Sequence, residues 1–517
     1  MINYNLGKLK KILVILTLVI LSTYTHLWNL TGFPLIHIDE GHYLSKAIST
    51  LEGKGLQPQN RYYAPYFGQM FLSGIFEIIG YPSVLLNINA SESPDTVADL
   101  YLVPRLIMGI LCVVDTLLIL RIAEKRYGQT VGFISAVLFA VMPFSWLPRW
   151  ILLESIQLPF LLTSILLIVN TDSKRKEKLS IIISGLFMGL AIFTKIPAFT
   201  FMPLGGLIIY SNTGRLKYLV LWLIPAILIP ALWPIHATVT GNLNEWISGI
   251  VYQTHRNPQP FMSALYDFFL IDPILFILGI AGLVFGAIKR DTFLVLLIGP
   301  AIVFFYLIGY VNSFHLILLI PSLCIAGGYL LDWIGQILTG KLKVKIGQFV
   351  PIAGVALFGL LMTSQLISLD LNSSYYNTIS FLLTQLPNKT PSSSLNEEDI
   401  RTIDMINSNQ NRPSVVSSAG YFWIPELVFN KNFYAHSYYS HNTIKSDRFI
   451  IISDEGFLSM LKRKSAQSEV LSTAYNSTHS LARFNLKSLE QIRLDSYPYN
   501  SLNLKPLSKI IDIRANY

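Results

Sequence analysis

Lys11–Leu30 reads K-I-L-V-I-L-T-L-V-I-L-S-T-Y-T-H-L-W-N-L, and shortly after it Leu35–Tyr43 reads L-I-H-I-D-E-G-H-Y. The first stretch is about the 20 residues that cross a hydrocarbon core as a helix. The second sets an acidic pair between two histidines at the point where the chain leaves that helix. Lys8, Lys10 and Lys11 precede the apolar run, as in a signal peptide. The run is too long for an h-region and lacks a small-residue cleavage site, so it reads as a retained first span.

The rest of the chain repeats the pattern. Hydrophobic residues make up 52% and charged residues 13%, about half the charged share of soluble domains, and mean hydropathy is +0.50. Eleven spans are predicted, at about 11–30, 103–120, 130–147, 151–169, 179–194, 196–210, 218–235, 265–288, 292–311, 314–334 and 348–368. The net charge of +9 would suggest nucleic acid in a soluble domain. Here the basic residues fall mainly in short inter-span loops, where topology explains them. Cys112 and Cys324 both lie inside apolar runs, which leaves neither a disulfide framework nor a cysteine metal site.

Basic clusters alternate along the chain: Lys8–Lys11, Arg121–Arg126, Lys174–Lys178, Arg215/Lys217, Lys289/Arg290 and Lys341–Lys345. The positive-inside rule then predicts a cytoplasmic N-terminus. The outer face receives a first loop (31–102), the 148–150 corner, the Lys195 corner, the 236–264 loop, the 312–315 corner and everything after about 370. The unusual polar residues fall on that face: Asp39, Glu40, His42, Arg105, Arg149, Glu154, Lys195, His236, His255, Arg256 and His315. Within the first loop, Tyr66–Tyr81 is apolar, too short to span comfortably and suited to an interfacial helix. Tyr62, Tyr63 and Tyr66 just before it suit a polar ligand at the lipid boundary. After Leu369 the composition turns polar. Strands are expected at Ser414–Ser418, Arg448–Ser453 and Ala482–Leu486, with a helix over Asp454–Arg463. The predicted organisation is a membrane domain (1–369) followed by a small extracytoplasmic α/β domain (370–517). Sequons at Asn29, Asn89, Asn372, Asn388 and Asn476 all fall at or beyond the predicted outer surface.

Asp39–Tyr43 is expected to open a helix, whose N-terminal dipole would hold Asp39 ionised. A carboxylate within reach of a hydroxyl can act as general base. Glu40 points to another face, to orient the loop or bind a metal. Glu154 sits at the lip of a span, where a lone carboxylate is costly; an ion pair with Arg149 competes with a functional role. Arg105, Lys195 and His315 reach the same lip from separate spans, and Arg149 joins them from the 148–150 corner. Any one of them alone reads best as snorkelling, but together they suit the oxygens of a lipid-linked phosphate. His255-Arg256 reads as the weaker candidate. A divalent metal at Asp39, Glu154 and His42 is compatible with the ligand types, although the spacing of His37, Asp39, Glu40 and His42 matches no zinc pattern.

Taken in order, Asp39-Glu40, Pro104-Arg105-Leu106, Gly132 to Pro143, Arg149…Leu-Leu-Glu154-Ser, Gly189…Thr-Lys195-Ile-Pro197 and Phe314-His315…Pro321 resemble the protein O-mannosyltransferase and aminoarabinose-transferase families of GT-C glycosyltransferases. The likeness covers roughly 1–335. It implies a polyprenyl- or dolichyl-phosphate sugar as donor and a protein, glycan or lipid acceptor, with Asp39 in the place of the family's catalytic aspartate. Glu154 stands where the family often has Asp, and His315 where Lys or Arg is common. The expected reaction is sugar transfer to an acceptor hydroxyl with inversion. The alternatives are a transporter or flippase of a lipid-linked substrate, which would show ionisable residues at the midplane in repeated halves, and an oligosaccharyltransferase. For the latter, Phe422-Trp423 would need a following acid and is followed by Ile424.

Overall fold

The computed structural model describes residues 2–57, 62–84, 94–170, 177–256, 260–342, 350–385, 414–417, 434–437, 449–453, 457–458, 461–462, 466–485 and 510–515. Every predicted span falls on helix. Helix α1 is Ile2–Leu27, α2 Ile38–Leu51, α3 Phe67–Ile79, α4 Pro94–Tyr127, α5 Gln129–Val141 and α6 Leu153–Val169. They are followed by α7 Glu177–Thr194, α8 Met202–Thr213, α9 Leu216–Val239, α10 Leu243–Thr254, α11 Phe261–Ile271 and α12 Pro273–Ile288. Thr292–Ile308 is α13, Ile320–Leu342 α14, Val350–Ile367 α15 and Ser373–Gln385 α16.

Among the described residues five helices are long and apolar enough to cross a membrane alone, or seven if each of two bent pairs is one span. Shorter apolar helices lie at Lys11–Leu27, Phe67–Ile79, Leu153–Val169 and Thr292–Ile308. The chain is an integral, multi-pass membrane protein. The 12-residue α8 follows a 3-10 turn at Ile196–Phe201, and together they reach about 30 Å.

Two spans differ from expectation: the run 130–147 bends by 69° between α5 and the 3-10 segment Pro143–Arg149. The run 265–288 bends by 120° between α11 and α12. A proline disfavours helix at the residue before it but suits the first helical position; here Pro273 opens α12 and Asp272 caps it, accepting from the Leu275 amide at 2.9 Å. Asp272 also accepts from the Phe144 amide at 3.1 Å, tying the break to the 3-10 corner Pro143–Arg149. Close packing elsewhere rests on glycine. A Cβ on Gly185 of α7 would meet the Trp222 carbonyl at 2.4 Å, and one on Gly189 the Pro225 carbonyl at 2.6 Å. This small-xxx-small face lets α9 approach α7 backbone to backbone.

Towards the C-terminus lies a five-stranded mixed sheet in the order β2-β1-β3-β5-β4, with β1 Ser414–Ser417, β2 Tyr434–Ser437, β3 Phe449–Ser453, β4 His479–Asn485 and β5 Ile510–Ala515. β1 pairs parallel with β2 and β3, while β5 runs antiparallel to β3 and β4. Three of these strands match the predicted runs. β2 and β5 were not foreseen, since Tyr434–Ser437 is short and Ile510–Ala515 carries charges. Most of Asp454–Arg463 and all of Phe422–Ile424 lie outside the described residues; the helix seen between β3 and β4 is α17, Ala466–Asn476. Helix α16, just past the expected domain boundary, packs against α4, and Tyr375, Tyr376 and Ile379 share a core with Ile36 and Leu44.

Candidate active site

The predicted N-terminus of α2 is present, but its cap is unexpected. His37 is the N-cap: its Nδ1 accepts from the Asp39 amide at 3.2 Å, and Glu40 returns the bond by accepting from the His37 amide at 2.8 Å. This is a capping box with histidine in the usual Ser/Thr place. Glu40 therefore turns inward and is fully buried. Its carboxylate takes a two-pronged ion pair from Arg105, Nε to Oε1 at 2.9 Å and Nη2 to Oε2 at 2.7 Å, and accepts from the Ile151 amide at 3.2 Å. Asp39, one residue earlier, keeps a 36% exposed side chain, its Oδ2 4.0 Å from His37 Nδ1.

Two of the cations read from sequence as phosphate contacts are placed elsewhere. Arg105 is 0% exposed and also donates to the carbonyls of Leu30 and Pro34 at 2.8 and 2.9 Å. Arg149 is likewise buried; it donates to the carbonyls of Thr25, Trp28 and Phe33 and makes no pair with Glu154. Buried carbonyls need partners, and these guanidiniums supply them to the chain between α1 and α2. Trp150 Nε1 joins by donating to the Leu35 carbonyl at 2.7 Å. Asn372 donates to the carbonyls of Thr31 and Pro34 and accepts from the Ile36 amide at 2.9 Å, while the Tyr376 hydroxyl donates to Thr31 at 2.8 Å. Asn29 similarly donates to the carbonyls of Ile367 and Leu369.

Two sequons thus prove to be internal clamps: Asn372 is 0% exposed, and the Asn29 amide is spent on backbone. Asn476 is exposed, and Asn89 and Asn388 lie outside the described residues. Asn372→Ala is expected to cost about 1–3 kcal/mol, the penalty of stranding buried polar groups. A melting curve of the purified protein checks this; an unchanged midpoint would remove the clamp from the account.

A second group does converge. Glu154, in the first turn of α6, is 2% exposed and pairs through Oε1 with Lys195 Nζ; His315 Nε2 stands 3.8 Å from the same oxygen. Its other oxygen, Oε2, is buried without a partner among the described residues. Lys195 occupies the break after α7, where Gln157 of α6 donates to the carbonyls of Ala191 and Lys195 and fixes the corner. His315 lies in the 3-10 segment Ser313–Leu319; its Nδ1 accepts from the Asn312 amide at 2.9 Å, which leaves the proton of a neutral ring on Nε2, towards Glu154.

The Asp39 and Glu154 groups meet through aromatic side chains. The His37 ring is 5.0 Å from Trp150 and 5.2 Å from Phe314, and Lys195 Nζ lies 5.5 Å over the Phe314 ring. The charges of Lys195, Arg256 and His37 all act on His315. Burial pushes the Tyr43 hydroxyl well above the usual phenol range, and the charges of Asp39 and Glu154 push it the same way against Arg256. It therefore stays a neutral donor. Arg256, the weaker candidate from sequence, sits over the rings of Tyr310 at 4.9 Å and Tyr252 at 5.3 Å, and the Tyr310 ring is 6.1 Å from His315.

The remaining predicted residues divide. His42 is half-buried in α2 beside Tyr43 at 5.6 Å. Tyr66 is buried as the N-cap of α3 between Phe193 and His236, its hydroxyl given to the Leu232 carbonyl. The Tyr62 ring is buried too, its hydroxyl 3.5 Å from Thr240, whereas Tyr63 is 37% exposed. Among the described residues no three His, Cys, Asp or Glu side chains gather as a metal site, and Glu154 already faces an ammonium. Tyr43, Tyr310, Gln157, Asn372 and Tyr376 were not foreseen. Asn372 carried a signal, a polar residue just past the last span, but was read only as a sequon.

This helical membrane bundle with its small C-terminal α/β sheet has the GT-C architecture. The sequence model of the dolichyl-phosphate-mannose-protein mannosyltransferase family matches residues 14–243, so the resemblance to that group holds over the region that carries α1 to α9. No curated protein sequence matches. Among solved structures, the oligosaccharyltransferase of Archaeoglobus fulgidus in complex with zinc and sulfate superposes with a TM-score of 0.54 at 14% identity, covering 87% of this chain and 70% of that one. ArnT from Cupriavidus metallidurans bound to undecaprenyl phosphate gives 0.53 at 12% identity, covering 98% of both chains. A third, the Archaeoglobus fulgidus enzyme with an inhibitory peptide and a dolichol-phosphate, gives 0.50 at 13%, covering 82% and 64%.

Proposed function

We propose that the protein is a glycosyltransferase that moves a sugar from a polyprenyl- or dolichyl-phosphate donor to an acceptor hydroxyl, at the extracytoplasmic surface of the membrane. The observation that carries this reading is one accessible carboxylate, Asp39, joined through the His37, Trp150 and Phe314 rings to Lys195 and the neutral His315, with Arg256 stacked on Tyr310 beyond them. The family match over 14–243 and the lipid phosphates bound by structural relatives support the same donor class.

In this mechanism Asp39 accepts the proton of the acceptor hydroxyl while that oxygen attacks the anomeric carbon. The bond from that carbon to the phosphate oxygen breaks, and its electron pair leaves with the lipid phosphate. Lys195, Arg256 and the Nε2–H of His315 receive the negative charge. Phosphate is a good leaving group, so cations replace the acid that a glycosidase needs. A single displacement inverts the sugar carbon. The unpartnered Glu154 oxygen would accept from a ligand hydroxyl, and Glu154 otherwise holds Lys195 in place. No step is assigned to a metal, since the carboxylate best placed for one is occupied by Lys195. Glu40, Arg105 and Arg149 act as scaffold, because every charged prong but Arg149 Nε is committed to buried groups. The polar groups gather at one lip, which favours this reading over a transporter.

The test is donor affinity. Lys195→Ala is expected to weaken binding of a polyprenyl-phosphate sugar by about 10–100-fold, the value of one charge-assisted contact of 1.5–3 kcal/mol, and to lower transfer of a radiolabelled sugar accordingly. Unchanged donor affinity would place the phosphate elsewhere.

A further inference from the structure

A groove of about 320 Å³ lies one helical turn before Arg256, between Tyr62-Tyr63 of the first loop and α10. Its helix side carries Asn244, Glu245, Ser248 and Tyr252. The walls are locked together: a Cβ on Gly249 of α10 would lie 2.2 Å from the Tyr62 carbonyl, and Gln253 donates to the Tyr63 carbonyl at 2.9 Å. Tyr63 and Tyr252 turn towards each other with ring centroids 5.2 Å apart, and they stay 37% and 53% exposed. The groove is therefore formed before any ligand arrives.

Its chemistry differs from that of the cation pocket. The lining offers aromatic faces, a carboxylate, an amide and a hydroxyl, but no cation and no aliphatic side chain. A phosphate would meet only Glu245, and a polyprenyl tail or apolar peptide anchor would find no aliphatic wall. A pyranose fits each feature: its C–H face packs on a tyrosine ring, and its hydroxyls donate to Glu245 and exchange bonds with Asn244 and Ser248. The volume lies at the small end of ligand pockets. A chain of side-chain contacts links Tyr252 through Arg256 and Tyr310 to His315 and Glu154.

We infer that this groove is an acceptor subsite holding a neutral sugar unit, so that the acceptor is a glycan extended by the transferred residue. This rests on the proposed function but is separable from it. Saturation-transfer difference NMR on the full chain in detergent, with mannobiose and cellobiose as probes, should show ring-proton saturation. The signal should survive Asp39→Asn and fall sharply in Tyr252→Ala and Glu245→Ala. In turnover, Tyr63→Ala and Tyr252→Ala should each raise the KM for a glycan acceptor up to about tenfold, the worth of one aromatic contact, with kcat little changed. Saccharide binding without sugar transfer by the wild type would keep the subsite and remove the glycosyltransferase reading. Transfer with an unaltered acceptor KM in both tyrosine variants would do the reverse. Absence of disaccharide saturation in the wild type, or saturation of a Ser/Thr-containing peptide that competes with the sugar, overturns the subsite.

Discussion

Asp39→Asn is expected to lower sugar transfer by about 10²–10⁴-fold, the usual contribution of a positioned general base, with little change in donor affinity or melting temperature. Asn keeps the shape of the side chain. The His37 cap also survives, since it uses the backbone amide at 39 and the Glu40 carboxylate, not the Asp39 side chain. The loss should therefore appear in kcat and not in folding. Single-turnover transfer of a radiolabelled sugar by wild type and variant, beside a melting curve of each, makes the comparison. Equal rates would remove Asp39 as the base and leave the cation pocket without a catalytic partner.

Arg105→Ala should act through stability instead. Breaking a buried ion pair by removing one partner typically costs about 3–5 kcal/mol, because the other charge is left uncompensated. Here the loss strands the Glu40 carboxylate and the Leu30 carbonyl, while the Pro34 carbonyl keeps the Asn372 amide. The helix start that carries Asp39 would lose its anchor as well. Expression and thermal stability should fall further than in Lys195→Ala, since Lys195 keeps an 18% exposed side chain whereas Arg105 is fully buried. Glu40→Gln, which keeps the shape and much of the hydrogen bonding, should be milder. If Arg105→Ala melted like the wild type and only raised the donor KM, Arg105 would be a phosphate ligand, as its place in the sequence first suggested.

That reversal shows how far the sequence could be read. Span positions, the α2 start, the short apolar helix α3 and three of the five strands follow from hydropathy period and composition, which are local properties of the chain. Glu154, Lys195 and His315 were each legible, because a charge at the end of an apolar run is conspicuous wherever it occurs, but the pairing of Glu154 with Lys195 was not. What a linear pattern does not carry is direction. Glu40 and Asp39 are adjacent, yet one helix step turns the first into the core and leaves the second at the surface. Arg105 and Lys195 look alike at the lip of a span, and each meets a carboxylate, but only Arg105 also holds two carbonyls of a distant loop. Asn372 sits 336 residues from the amide it receives, a separation that no local signal spans. The bend at Asp272-Pro273 was visible as a proline. The bond that ties it to the Phe144 corner joins residues 128 apart, again beyond any local signal.

The most direct measurement is the anomeric configuration of the product. A polyprenyl-phosphate sugar of defined configuration is incubated with the purified chain and a glycan acceptor, and the glycoside is read by NMR. A base-assisted single displacement predicts a glycoside of the opposite configuration, formed by the wild type and lost in Asp39→Asn. A product of retained configuration, or donor that stays intact, would contradict it.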